Sequence, residues 1–170
     1  MASSFPEAMN YPGVLFPAKS RKVRYSTIYN ENCHRIYSLA FWITDNELAA
    51  DQLTARTFLR AFAVVKVPRT EQIDEAFLAE VREATPLGAL TLNRAPGPKT
   101  KSVYGNIKRV HLERAVVQLP ATEKLIFLLH DVEGYEHGRI GFLLGLTEHE
   151  CRFGLHQARL RIRELVSQVS

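Results

Sequence analysis

The sequence predicts an all-α protein made of two small helical domains joined by a flexible linker. Three observations carry this. Apolar residues recur with helical period in both halves of the 170-residue chain. A run rich in proline and glycine, TPLGALTLNRAPGPKTKSVYGN, separates the halves. Apolar side chains make up 46% of the residues, enough for two compact cores. The expected organisation is a loose leader over 1–23, a first helical domain over 24–84, a linker over 85–103 and a second domain over 104–170.

The leader is expected to be loose because residues up to about Ser20 are rich in Pro, Ser and Gly, with order beginning near Arg24. A first helix then places Ile28, Ile36, Leu39, Ala40 and Ile43 on one side and breaks near Thr44-Asp45-Asn46. A second carries Leu53, Phe58, Ala61 and Val65 and is ended by Pro68. A third, acidic helix is expected from Glu71 to Ala84. From Val64 to Leu90 there are 3 basic residues against 5 acidic ones, a local balance of −2.

The second domain opens near Tyr104 with a helix bearing Ile107, Val110, Leu112, Ala115 and Val116. From Leu119 to Val166 the chain reads LPATEKLIFLLHDVEGYEHGRIGFLLGLTEHECRFGLHQARLRIRELV, three amphipathic helices broken at Gly134 and Gly145. Leu125, Leu128, Leu129 and Val132 fall at i, i+3, i+4 and i+7, with Pro120 preset for a first turn. Ile140, Leu143 and Leu144 mark a short helix ending at Gly145. Thr147 and Glu150 have capping-box spacing, so a last helix starts near Thr147 with Cys151, Leu155, Ala158, Ile162 and Val166 inward. This is the layout of a helix-turn-helix, whose second helix presents base-reading side chains from its first turns. The outward positions are Glu148, His149, Arg152, Phe153 and His156, while Arg159, Arg161 and Arg163 further along suit phosphates. Pattern alone leaves a second reading open: a three-helix interaction domain with a solvated basic face.

Composition excludes several classes. The balance of 22 basic and 18 acidic residues gives +4, too mild to argue for nucleic acid by itself, although 11 of the basic and 8 of the acidic residues lie from Lys99 onward. Cys33 and Cys151 are read as buried free thiols, since two cysteines in different halves make neither a disulfide framework nor a metal cluster. No cofactor or metal is expected. No apolar run approaches the roughly 20 residues needed to span a bilayer, and the N-terminus lacks a signal-peptide pattern, so a cytoplasmic protein is expected. Scattered histidines, the absence of a nucleophile motif and the absence of a glycine-rich phosphate loop argue against an enzyme.

The residues are more specific than the pattern. Leu119-Pro120, Glu123-Lys124, Phe127, Leu129, Asp131 and Gly134, then Ile140, Leu143 to Thr147, Glu148, Leu155-His156 and Ala158-Arg159, resemble region 4 of the bacterial extracytoplasmic-function (ECF) sigma factors of the sigma-70 family. The stretch IYNENCHRIYSLAFWITDNELAADQLTARTFLRAF resembles that family's regions 2.1 and 2.2. The resemblance implies core RNA polymerase as partner, through its clamp coiled coil and a flap-like surface, together with promoter DNA and an anti-sigma factor. The polymerase-contacting positions it implies are Asp51, Gln52, Thr54, Ala55, Arg56 and Arg60, and the DNA-contacting ones are Glu148, His149, Arg152, Phe153, His156 and Arg159.

Departures from the family pattern bear on function. Where the clamp-binding stretch usually reads Ala-Glu-Asp-Leu-Thr-Gln-Glu-Val-Phe, this chain has Ala50 to Phe58 with Ala55 for the glutamine and Arg56 for the glutamate, reversing a charge. The promoter-melting helix, Trp-Leu-x-x-Ile-Ala-x-Asn in the family, is matched by Phe77 to Ala84, with Glu80 and Glu83 expected to face outward and repel a melted strand. Gly154 replaces a basic residue of the recognition helix, which either a close backbone approach or simple decay would explain. Phe153 suits a thymine methyl or the cover of a neighbouring domain. Two functions stay in play: a sigma factor that binds polymerase and promoter DNA, and a degenerate sigma-like interaction protein that binds polymerase or an anti-sigma factor without opening promoters. A helix-turn-helix regulator of another family is disfavoured by the N-terminal match.

Overall fold

The computed structural model describes residues 17–93 and 108–169. Among them are seven α-helices and no strand: α1 (Pro17–Thr44), α2 (Glu47–Val64), α3 (Thr70–Ala84), α4 (Arg109–Val117), α5 (Ala121–Phe127), α6 (His137–Leu144) and α7 (Glu148–Val169). The all-α expectation holds. None of these helices is long and apolar enough to cross a membrane.

α1, α2 and α3 pack consecutively. The helices start and stop where local chemistry dictates: Asn46 caps α2 by accepting from the Ala49 N–H at 2.9 Å, and the Gln72 side chain accepts from the Arg69 N–H at 2.9 Å at the head of α3. Ile36, Leu39 and Ala40 of α1 are buried with Leu53, Phe58 and Ala61 of α2 and Ile73, Phe77, Leu78 and Val81 of α3. Each large side chain so enclosed contributes about 1.5–3 kcal/mol relative to exposure. α1 begins at Pro17, so residues 17–23 of the expected leader are helical; proline is pre-organised for a first helical turn.

The C-terminal helices gather around α7, which packs on α4, α5 and α6. Its inner stripe, Cys151, Leu155, Ala158, Ile162 and Val166, is buried as expected. Gly145 ends α6 in the left-handed conformation (φ 72°). The capping box forms in full: Thr147 N–H donates to Glu150 Oε2 at 2.7 Å, and Glu150 N–H donates to Thr147 Oγ1 at 3.2 Å.

Three features differ from the sequence reading. The helix through Leu125 does not run regularly to Val132; Leu128–Val132 is a π-turn, with Glu133 N–H reaching Leu128 O at 3.0 Å. The extra residue rotates the register, so Leu128 and Leu129 stay buried while Val132 turns out to solvent. In α4 only Ala115 and Val116 are buried, and Val110 and Leu112 are exposed. The described part of the expected linker, Thr85–Asn93, is docked. Thr91 and Leu92 donate their N–H groups to Glu123 Oε1 at 2.5 and 2.7 Å, and Leu87, Leu90 and Leu92 pack against the core. Residues 94–107, with Tyr104 and Ile107, lie outside the described residues, as do 1–16.

The two groups of helices also touch. Lys124 Nζ donates to the Trp42 carbonyl near the end of α1 at 3.3 Å, and α3 packs on α6. Burial depresses the Lys124 ammonium pKa, with Asp45 opposing that shift.

Candidate nucleic-acid interface

The first turns of α7 divide into two faces. Cys151, Gly154, Leu155 and Ala158 are buried, whereas Glu148, His149, Arg152, Phe153 and His156 are exposed together on the other side. Glu148 and Arg152 form an i,i+4 ion pair, with Arg152 Nε 3.2 Å from Glu148 Oε1, which holds the Glu148 carboxyl below its ordinary range. Arg159 stands apart from this group. Its guanidinium grips Asp131 through Nε at 3.0 Å and Nη2 at 2.6 Å, so it is oriented by the end of the π-turn. Burial works to raise the Asp131 pKa, but the hydrogen bonds from Arg159 and His130 outweigh it and hold the carboxyl below its usual range. His130 in turn lies 4.4 Å, ring to ring, from His137 at the head of α6. Burial, then the neighbouring His130, depresses the His137 imidazole.

Gly154 has a structural cause. A Cβ there would lie 2.7 Å from Ile126 Cδ1 and 2.8 Å from Leu90 Cδ2. The missing side chain admits the segment ahead of α4 onto α7, so close approach accounts for the glycine.

A second candidate surface lies on α2. Asp51, Gln52, Ala55 and Arg56 are exposed, but Thr54 is only 5% exposed and faces the core, where its hydroxyl has no partner. Thr54 therefore offers no surface to another molecule. Two residues missed by the sequence reading join the exposed face: Leu48, 67% exposed, and Leu59, 72% exposed. The signal was present, since both leucines fall off the Leu53, Phe58, Ala61 stripe and line up with Gln52 and Ala55 at helical spacing.

The acidic segment is only in part an acidic face: Glu71, Glu75 and Glu83 are exposed, Glu83 as expected, but Asp74 and Glu80 are not. Glu80 is 5% exposed and accepts from Arg60 Nε at 2.5 Å, with Arg56 Nε 3.4 Å away. Arg60 also pairs with Glu83. The expectation that Glu80 faces outward is thus corrected: the guanidiniums of α2 draw it inward. Arg60, whose side chain is 38% exposed, has its pKa raised mainly by the bond to Glu80, so it is held across α2 and α3 while still reaching the surface. The charge reversal at Arg56 has its counterpart in Glu80.

The chain is similar to known proteins in both sequence and fold. Residues 109–162 match the model for "Sigma-70, region 4". The ECF RNA polymerase sigma factor SigE of Mycolicibacterium smegmatis is 26% identical over 158 residues, a match covering 84% of this chain and 62% of that relative's length. The chain is thus similar to ECF-type sigma factors, and spans about three-fifths of the length of that relative. The residues matched to region 4 run from the start of α4 into α7, with α5 and its π-turn between them. The sigma factor RpoE of Bartonella quintana, solved in complex with the anti-sigma factor NepR, shares the fold at a TM-score of 0.59 and 15% identity, over 84% of this chain and 96% of that one.

Proposed function

We propose that this chain is a transcription initiation factor that binds core RNA polymerase through α2 and reads promoter DNA through α7. The observation that carries the reading is the face of α7: His149, Arg152, Phe153 and His156 stand exposed over a fully buried inner stripe, directly after a complete capping box. Such a helix enters the major groove with its first turns toward base edges. The polymerase surface is taken to be Asp51, Gln52, Ala55 and Arg56 around the exposed Leu48 and Leu59, an apolar centre with a polar rim. It suits a clamp coiled coil, with a flap-like surface left to region 4. Asp131 leaves Arg159 a positioning role beside the groove.

The test is transcription from purified components. The chain added to core polymerase should give promoter-specific transcripts, and Arg152→Ala should weaken binding to the preferred duplex by about 1–3 kcal/mol. Association with polymerase without transcripts would select the second reading, an interaction protein held by polymerase or by an anti-sigma factor such as the RpoE relative binds. One observation favours that reading: α3, the segment matched to promoter melting, is packed against region 4.

A further inference from the structure

Asp74 of α3 is 3% exposed, yet it is surrounded by groups from three other parts of the chain. Its Oδ1 lies 2.7 Å from Arg35 Nη1 of α1. Its Oδ2 accepts from the Tyr135 hydroxyl at 2.5 Å and from Arg139 Nη2 of α6 at 2.6 Å. Arg35 Nη1 also donates to the Tyr135 hydroxyl at 3.1 Å, and the Arg139 guanidinium sits 4.2 Å over the Tyr135 ring. Glu71, one turn away on α3, adds a longer contact to Arg139 at 3.7 Å. Burial, then the bond to Asp74, pushes the Tyr135 phenol well above its ordinary pKa, so it stays a donor. A second tie joins the same two helices, Arg82 Nη2 donating to the Leu143 carbonyl at 2.5 Å.

α6 is the first helix of the helix-turn-helix, the one that crosses the sugar–phosphate backbone when the second lies in the groove. Arg139 is the only arginine or lysine on it. A guanidinium binds carboxylate and phosphate through the same planar donors, so one engaged by a buried carboxylate is withheld from DNA. We propose that Asp74 is an internal surrogate for a DNA phosphate: by holding Arg139 it keeps α3 against α6, and this closed packing suppresses duplex binding by region 4. The inference rests on the reading of α6 and α7 as the DNA-binding unit. Apparent affinity falls by the fraction of molecules that are open, so weakening the latch tightens DNA binding without any new contact to DNA.

The experiment compares the full chain with three variants: Asp74→Asn, which keeps the shape and removes the charge; Arg82→Ala, which cuts the other tie; and Glu75→Gln, an exposed acid on the same helix with the same charge change. Binding is read by fluorescence anisotropy on a duplex enriched from a random pool with the Asp74→Asn chain, and opening by small-angle scattering. Asp74→Asn should expand the particle and bind at least fivefold more tightly. Arg82→Ala should shift both in the same direction although it removes a positive charge, which opposes any simple electrostatic gain. Glu75→Gln should move neither. An equal gain in Glu75→Gln, or expansion without tighter binding, overturns the proposal, and so does an unchanged radius in both Asp74→Asn and Arg82→Ala. Should Asp74→Asn fail to fold, the duplex is enriched with Arg82→Ala instead and that variant decides alone. If the chains open but none binds any duplex, the DNA-reading assignment beneath the proposal has failed, and the lack of enrichment from the pool identifies that case.

Discussion

Asp74 and Glu80 sit on one helix, both almost fully buried and both held by two arginines, yet they bind α3 to different things. Glu80 faces α2 and closes an ion pair inside the N-terminal bundle, with Arg60 and Arg56 as partners. Asp74 faces α1 and α6 and joins that bundle to region 4. The difference teaches that net charge along a segment says little about its surface. The local balance of −2 becomes, once folded, one clamp within the N-terminal bundle, one clamp onto α6 and a few solvated acids.

Reversing the charge of Glu80 should break the contrast most strongly. Glu80→Lys places a buried cation between Arg56 and Arg60 and should lower unfolding stability by about 3–5 kcal/mol, read by urea denaturation. Adding Arg56→Glu should recover part of that loss. No loss in the single variant would mean that Glu80 is free to swing to solvent.

A purely steric change in the other half sharpens the comparison. Gly154→Ala drives a methyl group into Leu90 and Ile126 and should cost about 1–3 kcal/mol, with Leu90→Ala partly rescuing it. Stability equal to wild type would show that the docked segment yields freely.

The two cysteines report on the two bundles separately. Cys151 is buried, and burial together with Glu150 and Glu148 pushes its thiol up to about 11, so a thiol reagent should modify it far more slowly than the half-buried Cys33. Glu80→Lys should speed labelling of Cys33, whereas Asp74→Asn should leave Cys151 protected. Mass spectrometry of the labelled chains distinguishes these outcomes.

The smallest effect concerns Asp131, a partly exposed carboxylate within region 4. Its folded pKa lies below the ordinary value, so its contribution is complete above the usual carboxylate range of about 3.9 and is lost as pH falls through the depressed folded value. Denaturation between about pH 5 and 3 should therefore be less steeply pH-dependent in Asp131→Asn than in wild type. Identical slopes would mean that the pairing with Arg159 is not kept in solution.

Much of this architecture was legible in the residues, because apolar period fixes which side of a helix turns inward. The stripe from Cys151 to Val166, the stop at Gly145 and the Thr147–Glu150 box follow from local rules alone. The exposed cluster on α7 came with them, being the complement of that stripe. What escaped depends on partners distant in sequence. Glu80 reads as outward until Arg56 and Arg60 are brought beside it, and Thr54 reads as a surface residue when taken from a family motif rather than from its place next to Leu53. Asp74 is intelligible only once Arg35, Tyr135 and Arg139 converge on it. The π-turn escaped for another reason: one residue of extra winding leaves no mark on apolar spacing until Val132, where the expected inward face is already exposed.

The seat of the Thr85–Asn93 segment has a practical bearing on dissecting this protein. Glu123 is wholly enclosed, and its Oε1 takes its hydrogen bonds from Thr91 and Leu92. A fragment begun near residue 104 would strip those donors away and open a hole above Gly154. Anyone expressing the half that matches region 4 by itself, or grafting it onto a foreign partner, should carry the chain from Thr85, because that tail is structurally part of the cargo.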